Sequence, residues 1–238
     1  MSHVTDHIDY GDQRISFSVY RRQRRTLEIA VESDMRVTVT APLDALEEDI
    51  RSKVRKRARW IRRQQTYFRQ FHPATPERRY LPGETHCFLG RAYRLLVVRS
   101  DADGTMLQGS NIVVGSRQPE RPERTKRTLE TWYQARAKET FRERIEQSLD
   151  RFHTPDLFRP SGLIVRRLKQ RWGSMSPNRR LVLNRRLVEA PIDAIDYVIV
   201  HELCHIEQPN HGPEFFQMLE RNLPDWIDRK LRLERYMA

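Results

Sequence analysis

The segment HELCHIEQPNH (201–211) holds three histidines and two glutamates within eleven residues. His201 and His205 are four residues apart, so on a helix their rings lie one turn apart on the same face. Two neutral imidazoles at this spacing suit a Zn²⁺ ion. Glu202 lies beside that face, where its carboxylate can take a proton from a water activated by the metal. The segment therefore predicts an HExxH zinc site with Glu202 as its general base.

A catalytic zinc site needs a third protein ligand and an open fourth position. His211 is the best candidate, because Pro209 disfavours helical geometry at Gln208 and the chain can turn there. The spacing of the three histidines equals that of metzincin proteases, but Gln208 replaces their turn glycine. That departure argues against metzincin membership and leaves metal binding intact. Glu207 and Glu214 are the fallback ligands.

The metal-binding segment belongs to a helix predicted from Pro191 through about Glu207. Its apolar residues recur at helical spacing and are expected to face a core; they are Ile192, Ile195, Ile199, Leu203 and Ile206. Cys204 points away from the histidine face and is predicted to be a small buried residue instead of a thiolate ligand. The alternative is a solvent-facing helix with accidental histidines. The turn and third histidine that follow the motif disfavour it.

The composition is that of a soluble cytoplasmic protein. With 238 residues the chain can bury a core as one large domain or two small ones. Its two cysteines provide no disulfide framework, which fits a reducing compartment. The N-terminus lacks the apolar core of a signal peptide, and the aliphatic runs are too short to span a bilayer.

The charge is strongly basic, with 44 Lys and Arg against 32 Asp and Glu. Such a surface attracts polyanions, including nucleic acid and nucleotides. Basic residues concentrate in a helix predicted over 43–71, where residues 51–71 contain nine Lys or Arg and no acid. The same helix carries an apolar stripe that begins at Leu43 and Leu46 and ends at Phe68. We favour a solvated face for the cations over a phosphate-binding ridge, because charge runs are usually solvated.

The remaining patterns alternate between strands and helices, with no internal repeat evident. A helix is predicted from about Thr125 to Phe152, and Pro213 and Pro224 each begin later helices. The charged connector 116–127 is the candidate domain boundary. Strands are predicted by period-2 alternation over 15–20, 26–31, 35–41, 85–90, 92–98, 111–115, 163–168, 169–174 and 180–184.

The run QRWGSMSPNRRLVLNRRLVEAPIDAIDYVIVHELCHIEQPNHGPEFFQ closely resembles the YgjP-like metallopeptidase family, relatives of the SprT-like zinc proteins within the zincin group. TLEIAVESDMRVTVTAP, KRARWIRRQ and RYLPGETHCFLGRAYRLLV look like the N-terminal half of the same family. The resemblance covers roughly Phe17 to Asp225. It implies zinc binding with Glu202 as the catalytic base, while one Zn²⁺ per chain is predicted from the histidine spacing and a peptide or protein substrate from the HExxH motif. The implied zinc ligands are His201, His205 and His211.

The resemblance also marks RWGS (171–174) as a family hallmark near the active helix. Arg171, Gly173 and Ser174 are the candidate substrate-binding residues. Arg171 can bind a carboxylate or phosphate or polarise an oxyanion. Gly173 lets another backbone approach closely. Trp172 is expected to be a core anchor.

These observations together predict an α+β protein. Residues 1–120 would form a β-rich part with the basic helix 43–71. Residues 121–238 would form a minimal zincin-like metallohydrolase domain, a short antiparallel sheet with the HExxH helix. An edge strand near RWGS would hold an extended peptide.

Two other functions stay open from the sequence. A metal-dependent nucleoside triphosphate pyrophosphatase explains the arginine excess better, and phosphoanhydride hydrolysis has been attributed to the family. The chain has no P-loop and no acidic cluster for Mg²⁺, which argues against it. A nucleic-acid-associated module with secondary catalysis is the third hypothesis, from the aromatic residues Trp60, Tyr67 and Phe68 among the arginines.

Overall fold

A computed structural model of the chain describes residues 4–32, 34–69, 78–168 and 171–237. The fold is mixed α+β, as predicted, with six α-helices and three sheets in this described part. Contacts divide the chain into two compact units, residues 1–76 and 77–237. No helix in the described ranges is long and apolar enough to cross a membrane.

The first unit is a four-stranded sheet with one helix against it. The strands are β1 (Val4–Tyr10), β2 (Gln13–Arg22), β3 (Glu28–Val31) and β4 (Val37–Pro42), and helix α1 spans Glu47–Arg69. Their order is β1-β2-β4-β3, with β2 and β4 parallel and both outer pairs antiparallel. Alternate residues of β2 and β4 are buried, as the period-2 pattern predicts.

Helix α1 begins four residues later than predicted, at Glu47 instead of Leu43. Leu43 and Leu46, predicted in its apolar stripe, are 64% and 68% exposed. The Arg21 guanidinium donates hydrogen bonds to the carbonyls of Leu43 and Ala45, which holds this segment outside the helix. The middle of the stripe is buried as expected: Ile50, Val54, Ala58 and Ile61. Residues 70 and 71 and the side chain of Phe68 lie outside the described part.

The second unit opens with a sheet of the same topology. Its strands are β5 (Thr85–Phe88), β6 (Arg91–Arg99), β7 (Gly104–Gln108) and β8 (Asn111–Ser116), followed by helix α2 (Pro122–Leu149). The order β5-β6-β8-β7 again places a parallel pair in the middle and antiparallel pairs outside. The fold thus contains a repeated four-strand-plus-helix arrangement that is not evident in the sequence.

The domain boundary predicted at residue 120 does not coincide with the division between the compact units. Helix α2 packs on β7 and β8. The Tyr133 hydroxyl donates a 2.7 Å hydrogen bond to the Cys87 carbonyl of β5. The connector 116–127 therefore lies inside the second unit, and its charged composition reflects surface exposure instead of a linker.

A small third sheet precedes the histidine helix. After α3 (Pro155–Phe158) come β9 (Gly162–Arg166), β10 (Gly173–Met175) and β11 (Arg180–Asn184). The sheet was predicted to be antiparallel but is mixed, because β11 pairs parallel with β9 and antiparallel with β10. Strand β10 lies at the sheet edge. A 3₁₀ turn, Arg185–Glu189, then leads towards the next helix.

Helix α4 (Ile192–Cys204) carries the HExxH residues and is followed by α5 (Pro213–Asn222) and α6 (Trp226–Met237). Most of its predicted apolar stripe is buried, but Ile192 at its start is 43% exposed. Buried Asp196 accepts bidentate hydrogen bonds of 2.7 and 2.6 Å from Arg144 of α2. This ion pair and the apolar stripe fix α4 against α2.

The N-terminal end of α4 is set by the turn between β5 and β6. Gly90 in that turn has φ +77°, and a Cβ there would lie 2.8 Å from the Cα of Pro191. The Gly90 N–H donates to the Glu189 carbonyl at 3.1 Å. Only glycine permits this close approach, so the turn fixes where α4 begins.

Candidate functional site

Three histidine rings converge at the C-terminal end of α4. His201 lies in the last turn of α4, His205 is its C-cap, and His211 lies in the loop before α5. One nitrogen from each ring lies within 4.8 Å of the others. The Nε2 atoms of His201 and His211 are 3.0 Å apart. Two nitrogens bound to one tetrahedral zinc would be about 3.3 Å apart, so the donor set fits this ion.

The three-way arrangement favours a cation over a shared proton. A proton shared between His201 and His211 would explain their 3.0 Å contact. It would not explain why the third ring also converges there, because a proton joins only two nitrogens. The third ring, His205, is oriented independently. Its Nδ1 lies 3.0 Å from the Gln208 carbonyl, which can only accept a hydrogen bond. Nδ1 is therefore the protonated nitrogen, and the lone pair of Nε2 is free to bind a metal.

The turn that delivers His211 begins earlier than predicted. Helix α4 ends at Cys204, although the sequence predicted it through about Glu207. The N–H groups of Glu207 and Gln208 both donate to the Cys204 carbonyl, which closes a tight turn before Pro209. The hydrogen bond from His205 to Gln208 rigidifies this turn and orients a candidate ligand at the same time.

Burial lowers the pKa of two of the rings, His201 and His211, and so favours the neutral form that binds metals. Burial, followed by the neighbouring histidines and Lys230, lowers the pKa of His201 to about 3. Burial, followed by His205, also lowers the pKa of His211. Both imidazoles therefore offer lone pairs at neutral pH.

An apolar ring supports the cluster from α5. Phe215 is fully buried, and its ring centroid lies 4.6 to 4.9 Å from those of all three histidines. It stacks on His205 and meets the other two edge-on. Such a shell limits ring rotation and excludes water from one side of the cluster.

Glu202 lies on the neighbouring face of α4, against β10. It is 7% exposed, and its carboxylate accepts a hydrogen bond from the Met175 backbone N–H. Burial raises the pKa of Glu202 to about 7, against the opposing effects of Met175 and Arg171. Gly173 provides the space for this packing, since a Cβ there would lie 2.8 Å from both Cγ and Oε1 of Glu202.

The cluster and Glu202 open onto a cleft of about 740 Å³ between α4 and β10. All three candidate substrate-binding residues, Arg171, Gly173 and Ser174, line it. Trp172 and Ser176 both hydrogen-bond towards β11. Hydrogen-bonded pairs alternate along an antiparallel ladder, so Ser174, which lies between them, also exchanges hydrogen bonds with its partner Val182. The remaining backbone groups of β10 thus face away from its sheet.

The sequence model of one protein family, described as YgjP-like, metallopeptidase domain, matches residues 25–236. The chain belongs to the YgjP-like metallopeptidase family. The comparison with curated proteins finds no match. Family membership makes the YgjP-like chain a hydrolase of the metallopeptidase type and implies a metal, usually zinc. The histidine cluster is where the described chain offers such a metal its ligands.

The structure brings the predicted residues of this YgjP-like protein together and leaves the fallback ligands outside. Glu207 and Glu214 are exposed and do not belong to the cluster. Cys204 is fully buried, as predicted, and burial raises the pKa of its thiol to about 12. Trp172 is half-buried, packs against the core and also lines the cleft.

Four site residues were not predicted. Tyr197 stands four residues before His201 on the same face of α4, a spacing that could have identified it. Phe215 and Met175 act through tertiary contacts that no local pattern encodes. Arg179 lines the cleft from the β10–β11 turn.

The Gly173–Glu202 contact predicts the effect of one added methyl group. Replacing Gly173 by alanine should displace the Glu202 side chain, because the new Cβ would overlap it, and should lower kcat at least ~10-fold. Zinc content should stay unchanged, because Gly173 is not a ligand. Steady-state kinetics and metal analysis on the same preparation test this.

A matched control is Gly162→Ala, since nothing lies within 4 Å of a Cβ at that position of β9. Wild-type kcat in Gly173→Ala would show that Glu202 tolerates displacement and is not held at the reacting centre by β10.

Proposed function

We propose that this protein is a zinc-dependent peptidase of the zincin type, with His201, His205 and His211 as metal ligands and Glu202 as the general base. One observation carries the proposal: three imidazoles converge beside a buried carboxylate at the wall of one cleft. The small sheet ending in β10, packed beside α4, supports the zincin-like assignment. The two free cysteines fit a cytoplasmic site of action.

A zinc ion held by the three imidazoles would supply Lewis acidity, which polarises a peptide carbonyl and acidifies a water molecule. Glu202 accepts the proton of the attacking water and returns it to the departing amine nitrogen. Its pKa of about 7 suits both directions of transfer near neutral pH. The Met175 N–H donates a hydrogen bond to the carboxylate, and Gly173, which has no side chain, lets the Glu202 side chain pack against β10.

The edge of β10 suits an extended peptide. Gly173 and Met175 direct backbone groups away from β11, and the Met175 N–H already bonds to Glu202. The other groups can pair with a substrate backbone by strand addition. A peptide so bound would lie along the cleft that Glu202 and the histidines share.

The decisive experiment is one assay of the zinc-loaded full-length protein against a peptide library and against nucleoside triphosphates. Cleavage of peptides, lost in Glu202→Gln, supports the peptidase. Hydrolysis of triphosphates with no peptide cleavage would instead support the pyrophosphatase, the second candidate. The cationic residues Arg171 and Arg179 in the cleft are the observation that keeps that candidate open.

A separate observation supports the phosphate-binding alternative for α1, against the solvated face that the charge run alone favours. Residues 51–69 contain nine Lys or Arg and no acid. Within the described ranges only Arg51 among them has an acidic partner, with Asp6 at 2.9 Å and Glu47 at 3.9 Å. The other cations repel one another along the helix, and a polyanion would relieve that repulsion.

Reversing three of these charges tests the interaction. Arg55, Arg59 and Arg62 changed to glutamate should weaken retention on DNA or RNA at low salt. The salt slope should flatten by about 0.9 for each phosphate that the helix no longer neutralises. Unchanged retention would show that the cations of α1 are solvated and do not bind nucleic acid. The control reverses three exposed cations of α2, Arg127, Lys138 and Arg142.

A further inference from the structure

Two arginines set the charge of the cleft. Arg171 precedes β10, Arg179 lies in the turn that follows it, and both line the cleft. Glu202 is the single acidic residue that lines the cleft in the described part. Two guanidinium groups therefore share the cleft lining with one carboxylate. A bound zinc ion would add further positive charge.

Neither arginine has a carboxylate partner within ion-pair distance among the described residues. Three other arginines of the same compact unit do have carboxylate partners. Arg124 pairs with Asp103 at 2.8 Å, Arg144 with Asp196 at 2.6 Å and Arg159 with Glu146 at 2.7 Å. The cleft thus keeps two cations that have no direct ion pair among the described residues, and the counter-charge of Arg171 in the cleft lining is the Glu202 carboxylate, on which it acts electrostatically.

Arg179 has a backbone conformation that favours glycine. Its φ is +56°, in the left-handed region, and its N–H closes the turn by donating to the Ser176 carbonyl at 2.8 Å. Glycine would adopt this conformation without the strain that a side chain incurs.

The guanidinium of Arg179 is also incompletely bonded. One Nη donates to the Leu157 carbonyl, which fixes the group in the wall of the cleft. Its Nε is buried and has no hydrogen-bond partner in the described structure. The Arg179 guanidinium therefore uses only part of its hydrogen-bonding capacity within the described structure.

We infer that Arg171 and Arg179, which lie before and after β10, give this wall of the cleft the positive charge that selects an acidic substrate, so that the substrate is a peptide with an acidic group close to the scissile bond. The inference rests on the proposed peptidase function. The guanidinium fork matches a carboxylate in bidentate geometry. The wall between the arginines is the free edge of β10, which pairs with peptide backbone and has no counterpart in a nucleotide. A peptide bearing a carboxylate therefore uses both features of this wall.

Binding to zinc-loaded full-length Glu202→Gln protein tests the inference without turnover. The probes are fluorescent hexapeptides of one sequence, with a central glutamate or glutamine and with a free or amidated C-terminus. Loss of the recognised carboxylate should raise Kd about 10-fold, the size of one charge-assisted hydrogen bond. A penalty from the central substitution identifies a side-chain acid, and one from amidation identifies the terminal carboxylate.

Arg171→Gln and Arg179→Gln should each reduce this preference towards equal binding of acidic and neutral peptides. The matched control is Arg180→Gln, which removes the same charge from an exposed neighbour that does not line the cleft. Arg179→Lys keeps the charge without the fork and serves if Arg179→Gln does not fold. Equal binding of all peptides by the parent protein would overturn the inference, as would a preference that survives both substitutions.

Competition by inorganic triphosphate identifies the alternative. If triphosphate binds in a manner that depends on both arginines while acidic peptides do not, the inference is wrong and the pyrophosphatase is favoured. If the acidic preference holds but wild-type protein cleaves no peptide, the proposed peptidase function fails and the selection of acidic peptides by the two arginines stands.

Discussion

Replacing Glu202 by glutamine should abolish turnover while leaving the fold and the zinc content unchanged. Glutamine has nearly the same size, and its side-chain carbonyl can still accept the Met175 N–H that the carboxylate accepts now. It cannot take a proton as a base. Loss of a general base typically costs at least ~10²-fold in rate. Steady-state kinetics on the substrate found, with zinc content and Tm measured in parallel, checks this expectation.

The matched control is Glu207→Gln, which removes an exposed acid from the turn after the same helix. It should leave kcat unchanged. Wild-type turnover in Glu202→Gln would contradict the zincin mechanism. The histidines would then be read as a structural clip that joins α4 to α5.

The local part of the site was predictable because helix geometry encodes it. Spacing by four residues places His201 and His205 one turn apart in any helix. Pro209 implied a turn, and the turn brings His211 to the cluster. The packing of Glu202 on Gly173 was not predictable, because it joins positions distant in the chain. The glycine was expected to admit a backbone, and it admits a side chain.

The strands that the sequence missed are edge strands. β1 buries only Ile8, and β7 has no buried residue. Period-2 alternation arises when one face of a strand is buried, so strands with little burial give almost no signal. The central strands β2, β4, β6 and β8, with one face against a helix, were all predicted. Which of them pair in parallel depends on tertiary packing, and the alternation does not encode it.

The predicted boundary near residue 120 lies within the second compact unit, for a related reason. Charge and proline in the connector 116–127 resemble a linker, but they mark an exposed surface segment of a compact unit. Ser116, at the end of β8, is fully buried, and Arg124 is tied to Asp103. A polar composition reports exposure to solvent, and exposure alone does not separate domains.

Removing an imidazole should remove the metal. The full-length protein is expected to bind about one zinc per chain, and His205→Ala should lower the affinity more than ~100-fold, since loss of an outer-shell partner alone costs about 10–100-fold. The loss should be especially severe at His205, whose Nδ1 bond to Gln208 also fixes the turn towards His211. Elemental analysis and competition with a chelator measure occupancy and affinity.

The control for this loss is His153→Ala, because His153 is exposed and lies outside the cluster. It should keep full zinc content. His211→Ala should behave like His205→Ala, and it should also lower Tm, because metal binding stabilises the segment that joins α4 to α5. If His211→Ala keeps wild-type affinity, His211 is not the third ligand. Zinc binding by Glu207→Ala and Glu214→Ala would then show whether one of these acids reaches the metal after rearrangement of the turn.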